Sequence, residues 1–300
     1  MKKIYIAGCG GMLGEAFYHV LNKNYSLRCT DINVNESWLS FLDFRDLRAY
    51  RDDVVAFSPD ILIHLGAHTD LEYCETNVDD TYLTNTLSVE NAVLIANDHK
   101  IPLVYISTAG IFDGSKDEYD DWDLPNPLGH YARSKYLGEL SVSSRVSDFL
   151  ICRAGWMMGG GPLKDKKFIY KLMKQIKQGS KELFIVDDRF GTPTYTHDFA
   201  KNVEMLINDK AWGLYNLVCS GTTSRLEVAN ELINILGLQK SVRITSVRSD
   251  FFISDYFAPR PKSERLINKK LNMRNMNKMR DWKSALQEYV TTYYGNYLDK

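Results

Sequence analysis

The chain has 300 residues, of which 44% are hydrophobic and 25% are charged, and its formal net charge is −1. This is the composition of a globular protein, and the length suffices for one large domain or for two lobes that share a core. A net charge near zero gives no general attraction to nucleic acid or to an anionic membrane surface, so we expect neither as a partner.

The N-terminal segment and the cysteines indicate the cellular compartment. The apolar run within residues 1–8 is too short for the core of a signal peptide or for a membrane span, so we expect a cytoplasmic protein. The five cysteines are scattered and include no Cys-x-x-Cys pair. This pattern predicts buried, reduced thiols, with no disulfide framework and no metal site.

Short apolar runs rich in β-branched residues alternate with longer amphipathic segments in the first half of the chain. The pattern predicts strands at residues 3–7, 26–30, 60–65, 103–107 and 149–153, a further strand ahead of residue 42, and helices at 12–22 and 80–99. Such alternation favours a parallel sheet with helices on both faces. The predicted fold is therefore α/β, a Rossmann-type doubly wound parallel sheet.

The alternation loosens after the three glycines at residues 159–161. A basic helix at 166–178, a strand at 182–186 and a helix at 224–236 then predict a smaller C-terminal lobe for substrate binding. We expect the Rossmann domain to span residues 1–155 and the substrate lobe to span mainly 156–300, with segments at about 190–220 returning to the first domain. The crevice between them is the expected binding site.

A glycine-rich turn after the first strand indicates a dinucleotide site. Gly8, Gly11 and Gly14 follow a strand and open a helix, so the backbone can turn tightly and bring its N–H groups to a pyrophosphate. Met12 and Leu13, at the start of that helix, belong to the same predicted site. The strand before the turn and the amphipathic helix after it make the pattern specific.

Further cofactor contacts are predicted where later strands end. Asp31 ends the second strand, where a carboxylate accepts hydrogen bonds from the adenine-side ribose and repels the additional phosphate of NADP, although Arg28 and Lys23 lie close by in sequence. The remaining predicted cofactor-binding residues are Asp43 and Phe44 after the third strand, Gly66, Ala67 and His68 after the fourth, and Asn85 in the next helix.

Three residues predict the chemistry. Reduction of a carbonyl needs a proton on oxygen, which the protein must supply because the cofactor carries only the hydride. Tyr131 and Lys135 stand four residues apart on a predicted helix, so both side chains can face one pocket, and the ammonium is expected to lower the pKa of the phenol. Thr108, at a strand end, can hydrogen-bond the same oxygen. Together with the glycine turn, these residues predict a nicotinamide-dependent reductase, in which Tyr131 and Lys135 also contact the cofactor.

Five segments carry a resemblance to a known family. They are residues 106–114 (Ile-Ser-Thr-Ala-Gly-Ile-Phe-Asp-Gly), 127–139 (Pro-Leu-Gly-His-Tyr-Ala-Arg-Ser-Lys-Tyr-Leu-Gly-Glu), 153–156 (Arg-Ala-Gly-Trp), 188–194 (Asp-Arg-Phe-Gly-Thr-Pro-Thr) and 258–261 (Ala-Pro-Arg-Pro) ahead of Leu266. On these motifs the chain resembles an extended short-chain dehydrogenase/reductase. Within that superfamily it resembles the dTDP-4-dehydrorhamnose reductase family, nearly end to end.

The resemblance implies a function and a set of roles. The family reduces a nucleoside-diphosphate 4-keto-6-deoxy sugar with NADH or NADPH, in deoxysugar and polysaccharide biosynthesis. Its catalytic threonine, tyrosine and lysine correspond to Thr108, Tyr131 and Lys135. The predicted substrate-binding residues are Ser107, Trp156 at the position of the family's substrate-contacting tryptophan, and Arg260 near the diphosphate. A homodimer is an expectation from the resemblance alone.

One departure from the family pattern bears on the substrate. The family usually follows its catalytic threonine with Asp-Tyr, whereas this chain has Ala109-Gly110, which removes a carboxylate and a phenol that would face the sugar. The pair also argues against a dehydratase, because dehydratases of this fold usually carry Asp-Glu there. Two alternatives stay open, a nucleotide-sugar epimerase that retains NAD and a non-catalytic dinucleotide-binding subunit similar to a regulator of methionine adenosyltransferase.

Overall fold

The computed structural model describes residues 1–298 of the chain. Its strands are short, two to six residues each: β1 (Lys3–Ala7), β2 (Ser26–Asp31), β3 (Leu39–Phe41), β4 (Ile61–His64), β5 (Leu103–Thr108), β6 (Phe149–Ala154), β7 (Trp156–Met158), β8 (Glu182–Val186), β9 (Phe190–Gly191), β10 (Pro193–Tyr195), β11 (Gly213–Asn216), β12 (Thr223–Ser224), β13 (Arg243–Val247) and β14 (Ser263–Glu264).

The helices lie between these strands. They are α1 (Met12–Leu21), α2 (Leu47–Phe57), α3 (Leu71–Thr76), α4 (Val78–Tyr82), α5 (Ser88–His99), α6 (His130–Arg145), α7 (Gly161–Lys164), α8 (Phe168–Lys177), α9 (Thr196–Asn208), α10 (Arg225–Ile235), α11 (Lys269–Met273) and α12 (Trp282–Tyr294). Short 3-10 turns occur at Ala109–Ile111 and Ser249–Phe252. None of the helices within residues 1–298 is long and apolar enough to cross a membrane.

Seven strands form one parallel sheet in the order β11-β6-β5-β4-β1-β2-β3. The order changes direction at β1, with β2 and β3 on one side and β4 to β6 on the other. In an open α/β sheet, this switch point opens a crevice outside the carboxyl ends of the strands, where ligands bind. The topology confirms the predicted Rossmann-type doubly wound sheet.

Both faces of the sheet are covered, because successive strand residues point to opposite sides. Ile6 lies in the cluster that holds Phe17 of α1 and Phe199 of α9, whose rings are 6.4 Å apart. Tyr5, its neighbour in β1, faces the other cluster, where α2, α5 and α6 contribute residues such as Val142. Each fully buried apolar side chain of this size contributes about 1.5–3 kcal/mol. The five cysteines are free and buried, as predicted.

The second half of the chain contributes small sheets beside the large one. β7 pairs with β10, β8 pairs with β13, and β9 lies between β12 and β14. The edge strand β11 returns to the large sheet and pairs with β6. A capping box, in which Ser224 and Glu227 each hydrogen-bond the other's backbone, begins α10 and makes Arg225 its first residue. The division of the chain at residue 155 stays a prediction.

The predicted helix at residues 80–99 is interrupted in the structure. α4 ends at Tyr82, a π-helical turn follows at Leu83–Leu87, and only then does α5 begin. The wider turn contains the buried Asn85, which donates to the carbonyl of His68 (3.0 Å) and accepts from its N–H (2.7 Å). Such single wide turns occur often at functional sites. Here the turn ties α4 and α5 to the end of β4.

Candidate active site

Close backbone contacts require glycine at two positions of the turn after β1. A Cβ added at Gly8, whose φ is +76°, would lie 2.3 Å from the Cα of Gly66. A Cβ at Gly14 would lie 2.1 Å from the carbonyl oxygen of Cys9. At Gly11, by contrast, a Cβ would meet nothing within 4 Å. At residues 8 and 14 the turn therefore packs against neighbouring backbone and has no room for a side chain. At residue 11 there is open space.

The N-terminus of α1 adjoins this open position. Gly11 is the N-cap residue and supplies no side-chain cap. The first N–H groups of a helix have no partner inside the helix, so those of Met12 and Leu13 remain available to an anion at the positive end of the helix dipole. A pyrophosphate fits this arrangement, because the turn lets the backbone approach it without intervening side chains.

The carboxylate of Asp31 faces the same turn. Its Oδ2 accepts a hydrogen bond from the N–H of Gly10, and its Oδ1 accepts one from the N–H of Asn33, each at 2.8 Å. Arg28, which sequence proximity left as a candidate partner for an additional phosphate, is ion-paired with Asp53 at 2.7 Å. Arg28 therefore pairs with α2, whereas Asp31 carries a negative charge at the carboxyl end of β2.

The predicted adenine-side residues are fixed by neighbouring groups. The ring of Phe44 packs on Gly66, where an added Cβ would lie 2.2 Å from the Cε1 of Phe44. The carboxylate of Asp43 is ion-paired with Arg45 at 2.7 Å, which lowers the pKa of that carboxyl. Asp43 thus uses its side chain to hold Arg45, and its contact with a cofactor stays a prediction.

His68 and Asn85 come together as one unit that follows Gly66 and Ala67. The imidazole Nε2 of His68 lies 2.7 Å from the Oδ2 of Asp80, and the amide of Asn85 holds the His68 backbone. Asn85 also donates to the Oγ of Ser134 at 3.1 Å. Since Ser134 lies in α6 beside Tyr131 and Lys135, this contact links the end of β4 to the helix that carries the predicted acid.

Tyr131 and Thr108 meet at the carboxyl end of the sheet. Burial raises the pKa of Tyr131 to about 12, and a hydrogen bond with the Thr108 hydroxyl acts in the opposite direction. The sequence predicted that Lys135 lowers this pKa, and the structure corrects that expectation. The Nζ of Lys135 lies 4.2 Å from the centroid of the Tyr105 ring, and burial outweighs any charge effect on the phenol.

Lys135 itself is 4% exposed, and burial lowers its pKa to about 7, while the charge of Glu139 acts to raise it. Glu139 in turn forms a buried bidentate ion pair with Arg153, with Nε to Oε1 at 2.9 Å and Nη2 to Oε2 at 2.8 Å. This pair lies one helical turn beyond Lys135 and fixes α6 to β6. The ammonium of Lys135 is thus buried and packs on the ring of Tyr105.

Ser107, predicted to bind substrate, is buried in the structure. It is 3% exposed, and its Oγ has no hydrogen-bond partner among residues 1–298. Strand alternation explains the difference, since Ser107 shares the sheet face of Tyr105, whereas Thr108 follows on the opposite face. The hydroxyl of Ser107 is therefore buried at the end of β5, and its role in substrate binding stays a prediction.

Trp156 stands in a group that the sequence did not reveal. Its Nε1 donates to the Oε2 of Glu264 at 2.7 Å, and the guanidinium carbon of Arg225 lies 3.6 Å from the centroid of its indole ring. The ring also packs on Gly191, where an added Cβ would lie 2.3 Å from the indole. The sequence predicted a helix at residues 224–236, but no local signal indicated that Arg225 stacks on Trp156.

Two arginines differ in how their charges are used. Arg260, predicted to lie near a diphosphate, forms a bidentate ion pair with Glu72 at 2.7 and 2.8 Å, which joins the second half of the chain to α3. Arg225 has no ion pair in the described part of the chain, and burial lowers its pKa to about 10, so it stays charged at neutral pH. Lys167, whose Nζ donates to Thr69, adds positive charge close to Arg225.

A doubly wound sheet, a glycine turn at its switch point, and a threonine, tyrosine and lysine at the strand ends define an extended short-chain dehydrogenase/reductase. Residues 1–294 match the family described as the RmlD substrate binding domain, so the chain belongs to that family. Membership confirms the resemblance seen in the sequence motifs.

Individual relatives agree with this assignment. The chain is 28% identical to a spore coat polysaccharide biosynthesis protein, SpsK, of Bacillus subtilis over 97% of each chain. It is 33% identical to the dTDP-4-dehydrorhamnose reductase of Yersinia enterocolitica, whose crystal structure superposes with a TM-score of 0.87 over 98% of this chain and 100% of that one. The dTDP-4-dehydrorhamnose reductase of Bacillus anthracis in complex with NADP is 26% identical, with a TM-score of 0.87 over 97% and 100%.

Proposed function

We propose that this protein is an NAD(P)H-dependent reductase of a nucleoside-diphosphate 4-keto-6-deoxy sugar, in the manner of dTDP-4-dehydrorhamnose reductase, in deoxysugar and polysaccharide biosynthesis. The observation that supports this most is the meeting of Thr108 and Tyr131 at the end of a dinucleotide crevice. The cofactor is NADH or NADPH. Relatives that bear this activity in their names match the chain over nearly its whole length.

Tyr131 is the general acid. When bound, NADH or NADPH supplies the hydride that reduces the carbonyl carbon. The Thr108 hydroxyl orients the carbonyl oxygen, and the Tyr131 hydroxyl donates a proton to it. Because burial raises the pKa of Tyr131 to about 12, the phenol is fully protonated at neutral pH and ready to donate. Lys135, one turn along α6, anchors the nicotinamide ribose of the bound cofactor.

The second half of the chain holds the substrate. A diphosphate attracts the guanidinium of Arg225 and the ammonium of Lys167, and planar guanidinium groups can bind phosphate oxygens in pairs. Arg260 contributes there by sharing its charge between Glu72 and the phosphate. The indole of Trp156, which packs on Arg225 and Gly191, lies against the sugar.

One experiment separates this function from its alternatives. The purified protein is assayed for cofactor that remains bound, and then for consumption of added NADH or NADPH with a dTDP-4-keto-6-deoxy sugar. A reductase consumes one equivalent of reductant per sugar and forms an alcohol. Tightly retained NAD with sugar conversion and no reductant consumption would indicate an epimerase. Cofactor binding without any sugar conversion, together with capture of methionine adenosyltransferase, would indicate the regulatory subunit. The homodimer and the cytoplasmic location stay predictions.

A further inference from the structure

The carboxylate of Glu264 is held at one oxygen and open at the other. Glu264 ends β14, which pairs with β9 so that Glu264 lies opposite Gly191. Its Oε2 accepts the hydrogen bond from the Nε1 of Trp156 at 2.7 Å. Its Oε1 accepts no hydrogen bond from any group within residues 1–298. Because a carboxylate oxygen is an acceptor only, the open Oε1 can be satisfied by a hydrogen-bond donor and by nothing else.

Gly110 shows where that open oxygen lies. A Cβ added at Gly110 would lie 3.3 Å from the Oε1 of Glu264 and 3.5 Å from the Oγ1 of Thr108. Both oxygens therefore border the same small space. The φ of Gly110 is outside the left-handed region, so the backbone does not require glycine there. The missing side chain at residue 110 leaves the room that the carboxylate uses.

Charge supports the same placement. The negative charge of Glu264 raises the pKa of Tyr131 and of Arg225, so it acts on both the acid and the guanidinium. Glu264 forms no ion pair at contact distance in the described part of the chain, and Trp156 is a neutral donor. The carboxylate is thus positioned beside the reacting groups without being neutralised by a direct partner.

We propose that Glu264 binds the substrate, with its Oε1 accepting a hydrogen bond from the sugar hydroxyl next to the carbonyl that Thr108 orients. This inference rests on the proposed function. In a 4-keto-6-deoxy sugar, that hydroxyl is on C3, because the other neighbouring carbon, C5, carries the methyl group. The chain thereby regains a carboxylate where Ala109-Gly110 replaces the acidic and phenolic pair of its family. Trp156 acts as a positioning residue for Glu264.

The consequence is selection for sugars with a free C3 hydroxyl. A site built to bind a hydroxyl rejects an analogue that lacks it, because the acceptor is then left without its donor in the complex. A purely structural Glu264 would anchor Trp156 and would not discriminate between sugars. The two roles differ in one measurable quantity, the penalty for removing the C3 hydroxyl.

A substrate cycle tests the proposal. The kcat/KM of the wild type and of Glu264→Gln is measured with the dTDP-4-keto-6-deoxy sugar and with its 3-deoxy and 2-deoxy forms. Glutamine can still accept the bond from Trp156. In the wild type we expect the 3-deoxy form to be worse by a factor of about 10 to 100. In Glu264→Gln that factor should shrink to less than about 5, while the 2-deoxy factor should be the same in both proteins.

Controls separate the possible failures. Glu118→Gln makes the same chemical change at an exposed site and should match the wild type with all three sugars. Affinity for dTDP alone, measured by calorimetry, should be equal in all proteins and reports an intact fold. Equal 3-deoxy factors in wild type and Glu264→Gln, or a difference confined to the 2-deoxy form, would overturn the proposal. A wild type that reduces no sugar although it binds NAD(P)H would instead refute the proposed function.

Discussion

The two sides of the cleft are built by different means. On the cofactor side, backbone meets backbone, since the turn at Gly8 lies against Gly66 and the start of α1 lies against Cys9. On the substrate side, side chains meet across long stretches of sequence, as Trp156 and Glu264 do. The first side depends on residues that have no side chain, and the second depends on the identities of a few large or charged ones.

The substrate side of the cleft can change its specificity more readily than the cofactor side. A pyrophosphate needs only N–H groups and a helix end, so few substitutions alter what the first side binds. A sugar is distinguished by its hydroxyl groups, and one carboxylate or guanidinium decides which of them is bound. Changes on one side should therefore leave the affinity of the other side intact, and the predictions that follow test this separation.

The largest effect is expected at Tyr131, where the two sides meet. Tyr131→Phe removes the proton donor and keeps the ring, so kcat should fall by about 10²–10⁴-fold. Binding of cofactor and of nucleotide sugar, measured by calorimetry, should change little. Tyr136→Phe, on the same helix, serves as the matched control and should keep wild-type turnover. Near-normal turnover in Tyr131→Phe would remove Tyr131 from its assigned role.

Gly8→Ala tests the cofactor side of the cleft. Alanine at a φ of +76° is strained, and its Cβ would lie 2.3 Å from Gly66. The Kd for the cofactor should therefore rise at least about tenfold, the effect of about 1.4 kcal/mol, with little change in dTDP affinity.

Gly179→Ala is the control for backbone strain alone. Gly179 also has a positive φ, +89°, but a Cβ there would meet nothing within 4 Å. This variant should lose a little stability and keep its cofactor affinity. If both variants bind the cofactor equally well, contact with Gly66 does not shape the site.

Asp31→Ser tests the choice between the two coenzymes. The carboxylate repels the additional phosphate of NADPH, and Arg28 is held by Asp53 and cannot offset that charge. We expect the ratio of kcat/KM for NADPH over NADH to increase about tenfold. The KM for the sugar should not change, because Asp31 lies on the cofactor side. An unchanged coenzyme ratio would show that Asp31 only holds the turn through Gly10 and Asn33.

Arg225→Gln tests the substrate side of the cleft. The KM for the nucleotide sugar should rise about fivefold, the factor that about 1 kcal/mol of lost interaction produces, and cofactor affinity should stay the same. Arg243→Gln makes the same change at an exposed position of β13 and should leave both constants unaltered. A rise in the Kd for NADH or NADPH in Arg225→Gln would break the separation of the two sides.

The smallest effect concerns stability at Lys135. Its pKa in the folded protein, about 7, lies below the usual value for lysine, so between these values the unfolded chain binds more protons. The stability of the wild type should therefore rise as pH increases above about 7. Lys135→Met removes the buried charge and should raise Tm by about 2–4 °C at pH 6.5, with a smaller gain at pH 9. A lower Tm at pH 6.5 would show that the ammonium stabilises the fold.

Local sequence was sufficient to predict the backbone turn on the cofactor side of the cleft and most of the sheet. The glycine turn, Asp31 and the spacing of Tyr131 and Lys135 are short patterns whose geometry follows from strand and helix periodicity. The π-helical turn at Asn85 was missed, because a periodic apolar pattern predicts an uninterrupted helix and carries no sign of an added residue.

The substrate side of the cleft could be predicted only in part. Trp156 was identified through a family motif, whereas Arg225 and Glu264 depend on the pairing of β9 with β14 and on the start of α10, which no local pattern specifies. Arg260 was expected at a phosphate, and its ion pair with Glu72 arises from a contact between segments far apart in the chain. Lys135 was expected to act on Tyr131, and its burial against Tyr105 became visible only in the packed fold.

The most direct test of the central claim follows NADH and NADPH oxidation with dTDP-4-keto-6-deoxyglucose, freshly generated in the presence or absence of a 3,5-epimerase. We expect oxidation that depends on the sugar. Oxidation only with the epimerase would identify the rhamnose-type substrate, whereas oxidation without it would identify a different deoxysugar product. No oxidation with either coenzyme and either sugar, in protein shown to bind NADH or NADPH, would contradict the account.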